Sequence, residues 1–357
     1  MAKFVWWVLQ SSAFLILSLI LTGCYVMKQA YHLHYDLHYN RQPVDHVISQ
    51  NQGSPAIVDK LSYVKKIMNF AEKNGVFGEG AYEHVVINKE KYVSYLVYAA
   101  YPDRLQAKTH WFPFVGTVPY IGFFKEADRN EYADSLAQEG YDIYRGAAGG
   151  FSSLGWWKDP IYHQMLGRDK IGLAQLFFHE LTHKTFWAPG SVLFNENLAE
   201  FVAWKLSSQF FQAQQNTKAF TEFESRMADR GIYSEWLKQK KTALKTLYAD
   251  KKLSKPQLLK KKAEFFRQMN TGLPSFNSKR YSFLKTKSWN NAAMIASSLY
   301  SPDIESFKKA FQCAKVSSIG SFLKTLENKM PDEITVAKML QQLCENTSER
   351  RARTKSY

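Results

Sequence analysis

A chain of 357 residues, 45% hydrophobic and 22% charged, has the composition of a well-buried globular body and is long for a single core. Its 47 Lys and Arg against 32 Asp and Glu give a formal charge of +15, concentrated in one stretch past the middle of the chain. Its three cysteines include no pair with zinc-ligand spacing, which excludes a cysteine-held metal site.

The chain opens with a short basic start, Met1-Ala2-Lys3. An apolar run from Phe4 to Ile20 follows, broken at Gln10 to Ser12, and then Leu21-Thr22-Gly23-Cys24. This order predicts a lipoprotein signal peptide over 1–23, with Cys24 lipidated as the first mature residue. The alternative is a retained membrane anchor with an incidental cysteine, and the polar break and the lipobox both argue against it. Either way the body lies outside the cytoplasm. Tyr25 stands where inner-membrane lipoproteins often carry aspartate, so in a Gram-negative cell the expected address is the outer membrane, facing the periplasm.

Residues 24–55 are expected to form an N-terminal tether packed on the body. His32, His34 and His38, at i, i+2 and i+6, do not share a helix face and are not read as metal ligands. Ala56 to Asn74 has helical periodicity through Val58, Leu61, Val64, Ile67 and Met68. Glu83 to Lys89 and Tyr92 to Ala100 read as two strands of a hairpin, Val118 to Phe124 as a third strand, Glu126 to Gln138 as a helix, and Tyr141 to Arg145 as a fourth strand. In Ala147 to Trp157, Gly149 and Gly150 permit close backbone approach, and Trp156 and Trp157 wall a pocket or sit as core residues beside a turn.

Ile171 to Phe178 is apolar, lacks proline, and runs into His179-Glu180-Leu181-Thr182-His183. On one helix the two histidines lie a turn apart on the same face, where both can reach one Zn²⁺, and Glu180 beside them can take a proton from water. Pro189 and Gly190 end that helix. A second helix begins near Phe194 and carries Glu196 and Glu200 one turn apart. Buried carboxylates need a cationic partner, and zinc would be one. The simplest reading makes Glu196 the third protein ligand and has Glu200 orient a ligating histidine. The plain alternative is an amphipathic helix with two solvated glutamates.

Residues 205–287 hold 19 basic and 6 acidic side chains, with helical patterning broken near Gly231 and at Lys255-Pro256. This basic helical extension is either a solvated hairpin or a surface for anionic headgroups, through Lys238 to Lys241 and Lys260 to Lys262. No nucleic-acid partner is expected for an exported chain, and no obligate protein partner is evident. Asn290 and Asn291 precede a further helix that ends near Tyr300. Cys313 and Cys344 either pair or stay as two buried thiols.

HExxH followed by a helix with N-E-x-x-x-E resembles the gluzincin metallopeptidases. More closely, FHELTH with FNENLAEFVA is similar to a family of bacterial zinc aminopeptidases made as lipoproteins, and the likeness extends through Thr109 to Phe124, Glu139 to Ile161 and Trp289 to Tyr300. The resemblance implies an α+β, zincin-like fold: a small mixed sheet, the HExxH helix, and a mainly helical C-terminal part. An edge strand of the sheet would bind substrate backbone. The core would span 56–204, with 288–357 completing the cleft. It also implies one Zn²⁺ per chain on His179, His183 and Glu196, with Glu180 as base, and Asn290, Asn291 and Tyr300 holding peptide substrate. "Zinc peptidase" rests on the residues, whereas "aminopeptidase" rests on the resemblance, since no G-A-M-E-N motif is present. The rivals are an envelope endopeptidase and a non-catalytic zincin-like lipoprotein.

Overall fold

A computed structural model describes residues 25–52, 54–112, 116–150, 158–299, 303–329 and 335–345. The signal segment, Cys24, Trp156, Trp157 and Tyr300 lie outside them. The fold is α+β, with helices predominating around three small sheets.

The described residues open with helix α1 (25–39), followed by β1 (Arg41–Pro43), α2 (Val44–Ser49) and α3 (Pro55–Lys73). Proline at the first helical position after Ser54 starts α3, and Leu61, Val64 and Ile67 form its buried face. Strands β2 (His84–Val86) and β3 (Ser94–Ala100) come next, but they do not form the expected hairpin. β2 lies between β1 and β8 (Ile161–Tyr162), antiparallel to the first and parallel to the second. β3 is the middle strand of a separate antiparallel sheet, between β6 (Ile121–Phe123) and β7 (Asp142–Ala148). Val85 and Val86 sit in the helical core, whereas β3 is buried on both faces beyond Ser94. The linking Asn88 does not turn the chain back. Its Oδ1 accepts from Glu90 N–H (3.1 Å) and from Gln164 Nε2 (2.7 Å).

The single strand expected over Val118 to Phe124 is divided at Pro119-Tyr120. β4 (His110–Phe112) and β5 (Gly116–Val118) pair as a two-stranded ribbon, and β6 joins β3. Helix α4 (Glu126–Gln138) has the expected bounds. β7 is longer than expected, because β3 pairs with it over its whole length as far as Ala148.

Helices α5 (Lys170–Thr185) and α6 (Val192–Ala213) pack closely, with α3 against α5, and their phenylalanines fill the main core. α7 (Thr217–Ala249) runs unbroken through Gly231. One glycine costs about 1 kcal/mol in a helix, less than the burial of Tyr233, Trp236 and Leu237 just beyond it supplies. The expected break does occur before α8 (Lys255–Arg267), which opens with a Ser254/Gln257 capping box. α9 (Asn291–Leu299) lies on β3 and β7, and α10 (Ile304–Ala314), α11 (Ile319–Lys329) and α12 (Val336–Leu340) complete the helical side. A disulfide joins Cys313 to Cys344.

Candidate metal centre

Asp169 caps α5 by accepting from the Gly172 N–H at 2.8 Å. Apolar packing along the helix then fixes its rotation. Phe177, Phe178 and Leu181 point into the core, which turns His179 and Glu180 toward a cavity that His183 also lines. Only a short turn leads into α6, and Asn195 secures it with both ends of its amide: Nδ2 donates to the Ala188 carbonyl (2.7 Å), and Oδ1 accepts from the Ala188 N–H (2.9 Å). Glu196, the next residue, thereby faces the two histidines.

The three donors converge. His179 Nε2 lies 3.1 Å from His183 Nε2 and 3.3 Å from Glu196 Oε2, and His183 Nε2 lies 3.6 Å from Glu196 Oε1. Ligand bonds of about 2.0–2.1 Å in a tetrahedron set their donors roughly 3.3 Å apart, so the donor set and its spacing suit zinc. All three candidate ligand atoms lie within 4.8 Å of one another. Behind them, Glu200 Oε1 stands 3.5 Å from His179 Nδ1, and its other oxygen pairs with Arg230 Nη1 at 2.6 Å. A chain Arg230–Glu200–His179 therefore runs from α7 through α6 to α5.

Burial dominates the electrostatics. It pushes the Glu180 carboxyl up to about 7, against the pull of His179, and holds His183 down to about 4. At His179 burial acts downward too, but the hydrogen bond to Glu196 and the fields of Glu200 and Glu180 prevail and raise it to about 9. Burial likewise opposes ionisation of Glu196 and Glu200, yet both stay below the usual carboxylate range: Glu196 through its histidine neighbours, Glu200 through Arg230 and His179.

The cavity measures about 980 Å³. One wall carries the HExxH and α6 residues; another is backbone from Gly146 to Gly150, the end of edge strand β7; α1 contributes Tyr25, Gln29 and Leu33, and α7 contributes Arg226 and Arg230. A Cβ at Gly150 would lie 2.2 Å from Glu180 Oε1, so only glycine lets the backbone pass so near the carboxylate.

Other expected residues sit elsewhere. Asn290 donates to the Ile143 carbonyl (2.8 Å) and caps α9 at Ala293 N–H (2.8 Å). Asn291 is buried, donating to the Tyr101 (2.7 Å) and Arg104 (3.1 Å) carbonyls and accepting from Tyr248 Oη (2.6 Å). Both amides thus join α9 to the sheet, and neither lines the cavity. Lys262, read as part of a surface charge run, is buried and paired with Asp142 at 2.6 Å.

A family model described as "Putative aminopeptidase" matches residues 24–335. The chain belongs to that family. The match takes in α1, the HExxH and α6 helices, the basic helices and α9, so the aminopeptidase family's extent includes every wall of the cavity. No curated protein and no solved structure matches the chain. The close backbone approach expected at Gly150 is found, whereas Arg230 and Asn195 were not singled out as site residues by the sequence. Arg230 acts on Glu200 from another helix thirty residues on, and Asn195 on Ala188 across the turn between α5 and α6, neither of which a linear motif encodes.

Proposed function

We propose that the protein is a zinc-dependent peptidase, of aminopeptidase type by its family, anchored by lipid to the bacterial envelope. The observation that carries this reading is the convergence of two imidazole nitrogens and a carboxylate within 4.8 Å of one another, next to a buried glutamate that is not one of the three donors. His179, His183 and Glu196 would hold a zinc ion, which would supply Lewis-acid chemistry toward a scissile carbonyl and water. Glu180 then takes a proton from the attacking water and returns one to the leaving amine. Glu200, held by Arg230, fixes the ring of His179 so that Nε2 stays directed at the centre. A peptide lying along the free edge of β7 would have its backbone paired in β fashion, with the approach to Glu180 kept open at Gly150.

The outward face of α1 supports envelope anchoring through Cys24. It buries Leu33 and Leu37 and turns outward Met27, Tyr31, Tyr35 and Tyr39, spaced by four and 70%, 63%, 46% and 73% exposed. A stripe of tyrosines suits the membrane–water boundary.

One observation favours a second reading, that of an endopeptidase. Among the described residues lining the cavity the only carboxylates are Glu180, Glu196 and Glu200, all occupied in the centre, so none is left to hold a substrate's α-ammonium. The deciding experiment is zinc content together with a cleavage profile on free and amino-blocked peptides, with and without chelator. About one equivalent of zinc is expected, mostly lost in His179→Ala and in Glu196→Ala. Full retention in Glu196→Ala would move the third ligand to Glu200, and chelator-insensitive cleavage would overturn the proposal.

A further inference from the structure

Among the described residues, two guanidinium groups line the cavity with no carboxylate in ion-pair contact, although the field of Glu180 reaches Arg168. Arg168, in the loop before α5, is half-buried and donates from Nη1 to the Gly149 carbonyl at 3.1 Å. Arg280, near the start of a 3₁₀ turn, lies close enough for its charge to oppose that of Arg168. Among the described residues no carboxylate forms an ion pair with either. Their neighbours differ: Arg226 is held by Asp169 and Glu222, and Arg230 by Glu200. Arg280 is exposed, whereas Arg168 is half-buried, and a partly desolvated guanidinium gains most from a direct anionic partner.

Their position relative to the centre is set by two consecutive glycines. A Cβ at Gly149 would lie 2.0 Å from Arg168 Nη2, and one at Gly150 2.2 Å from Glu180 Oε1. The contacts to Arg168 and to the proposed base are thus made at consecutive residues, whose Cα atoms lie about 3.8 Å apart.

From this geometry we infer that Arg168 and Arg280 form a subsite for a substrate carboxylate, one residue from the bond on which Glu180 acts. A planar guanidinium pairs with a carboxylate through two parallel hydrogen bonds, which fixes register as well as charge. The carboxylate belongs either to the free C-terminus of the residue after the scissile bond or to an Asp or Glu side chain there. That assignment to a peptide rests on the peptidase reading, whereas the anion subsite itself does not.

The test uses the full chain, with Arg168→Met, Arg168→Lys and the exposed-site variant Arg280→Met, each checked for zinc content and thermal unfolding. Calorimetry with N-acetylglycine and its amide reads binding without turnover. The acid should bind at least about tenfold more tightly than the amide, Arg168→Met should remove the difference, and Arg168→Lys should keep part of it. Should Arg168→Met fail to fold, a reduced preference in Arg280→Met carries the same test. Equal binding of acid and amide by the wild type, or equal weakening of both by the folded variants, would overturn the subsite. Cleavage of dipeptides with free C-termini, of amidated dipeptides, and of amidated peptides with Asp or Glu after the scissile bond identifies the source of the carboxylate. Retained acid binding with no cleavage in any arm would uphold the subsite and remove the peptidase reading.

Discussion

Gly150→Ala should disable the site while leaving the fold intact. The new Cβ would stand 2.2 Å from Glu180 Oε1, 2.8 Å from its Cδ and 3.0 Å from Leu176 Cδ1. Non-bonded heavy atoms settle near 3.5 Å, so the carboxylate must retreat by about 1 Å. Both contacts are with the ends of flexible side chains, and Gly150 has no left-handed backbone angle, so the stability cost should be small. Catalysis is less tolerant, since a misplacement of about 1 Å can cost roughly a hundredfold. The assay is kcat on the best peptide from the cleavage profile, beside zinc content and Tm, with Gly167→Ala as control because its Cβ would meet nothing within 4 Å. Turnover within about threefold of wild type in a zinc-loaded Gly150→Ala protein would show that Glu180 does not work from the position described.

Arg230→Met leaves Glu200 buried with only His179 near it, so unfolding in urea should show a loss of about 3 kcal/mol, and zinc titration an affinity lower by roughly ten- to a hundredfold. Lys287 lies against the Trp289 ring at 4.2 Å, donates to Ser297 Oγ at 2.7 Å, and is pushed down to about 8 by burial. Because the unfolded chain holds that proton more tightly, Lys287 costs stability in full below about pH 8 and progressively less as pH rises toward its ordinary value near 10.4. Lys287→Met should therefore gain about 1 to 3 kcal/mol in urea unfolding at pH 7, reduced by the lost ring contact, and its advantage should shrink by pH 9.5. Cys24→Ala should abolish incorporation of labelled fatty acid, and continued labelling would refute the lipobox reading.

Those parts of the fold governed by helical period and local chemistry were legible in the sequence. α4 has the expected ends, and the HExxH helix falls where its apolar run and proline stop place it. His179, His183 and Glu196 could be grouped because two of them share a helix face and the third lies on the next helix. Strand partners were not legible. The proximity of β2 and β3 in sequence suggested a hairpin, but helices cover both faces of β3, and the neighbouring β2 pairs in another sheet. The family resemblance implied that the asparagines before α9 hold substrate, yet Asn290 caps the helix and Asn291 satisfies carbonyls near the end of β3. Their roles depend on contacts about 150 to 190 residues away in sequence.

Glu180→Gln tests the proposed chemistry most directly. Glu180 is not among the three metal donors, so the variant should keep its zinc and its fold while losing the base that takes the proton from water. Turnover and metal content are measured on one preparation. The expected result is about one equivalent of zinc with kcat reduced roughly a hundred- to ten-thousandfold. A zinc-loaded Glu180→Gln protein that cleaves peptide at near the wild-type rate would contradict the mechanism.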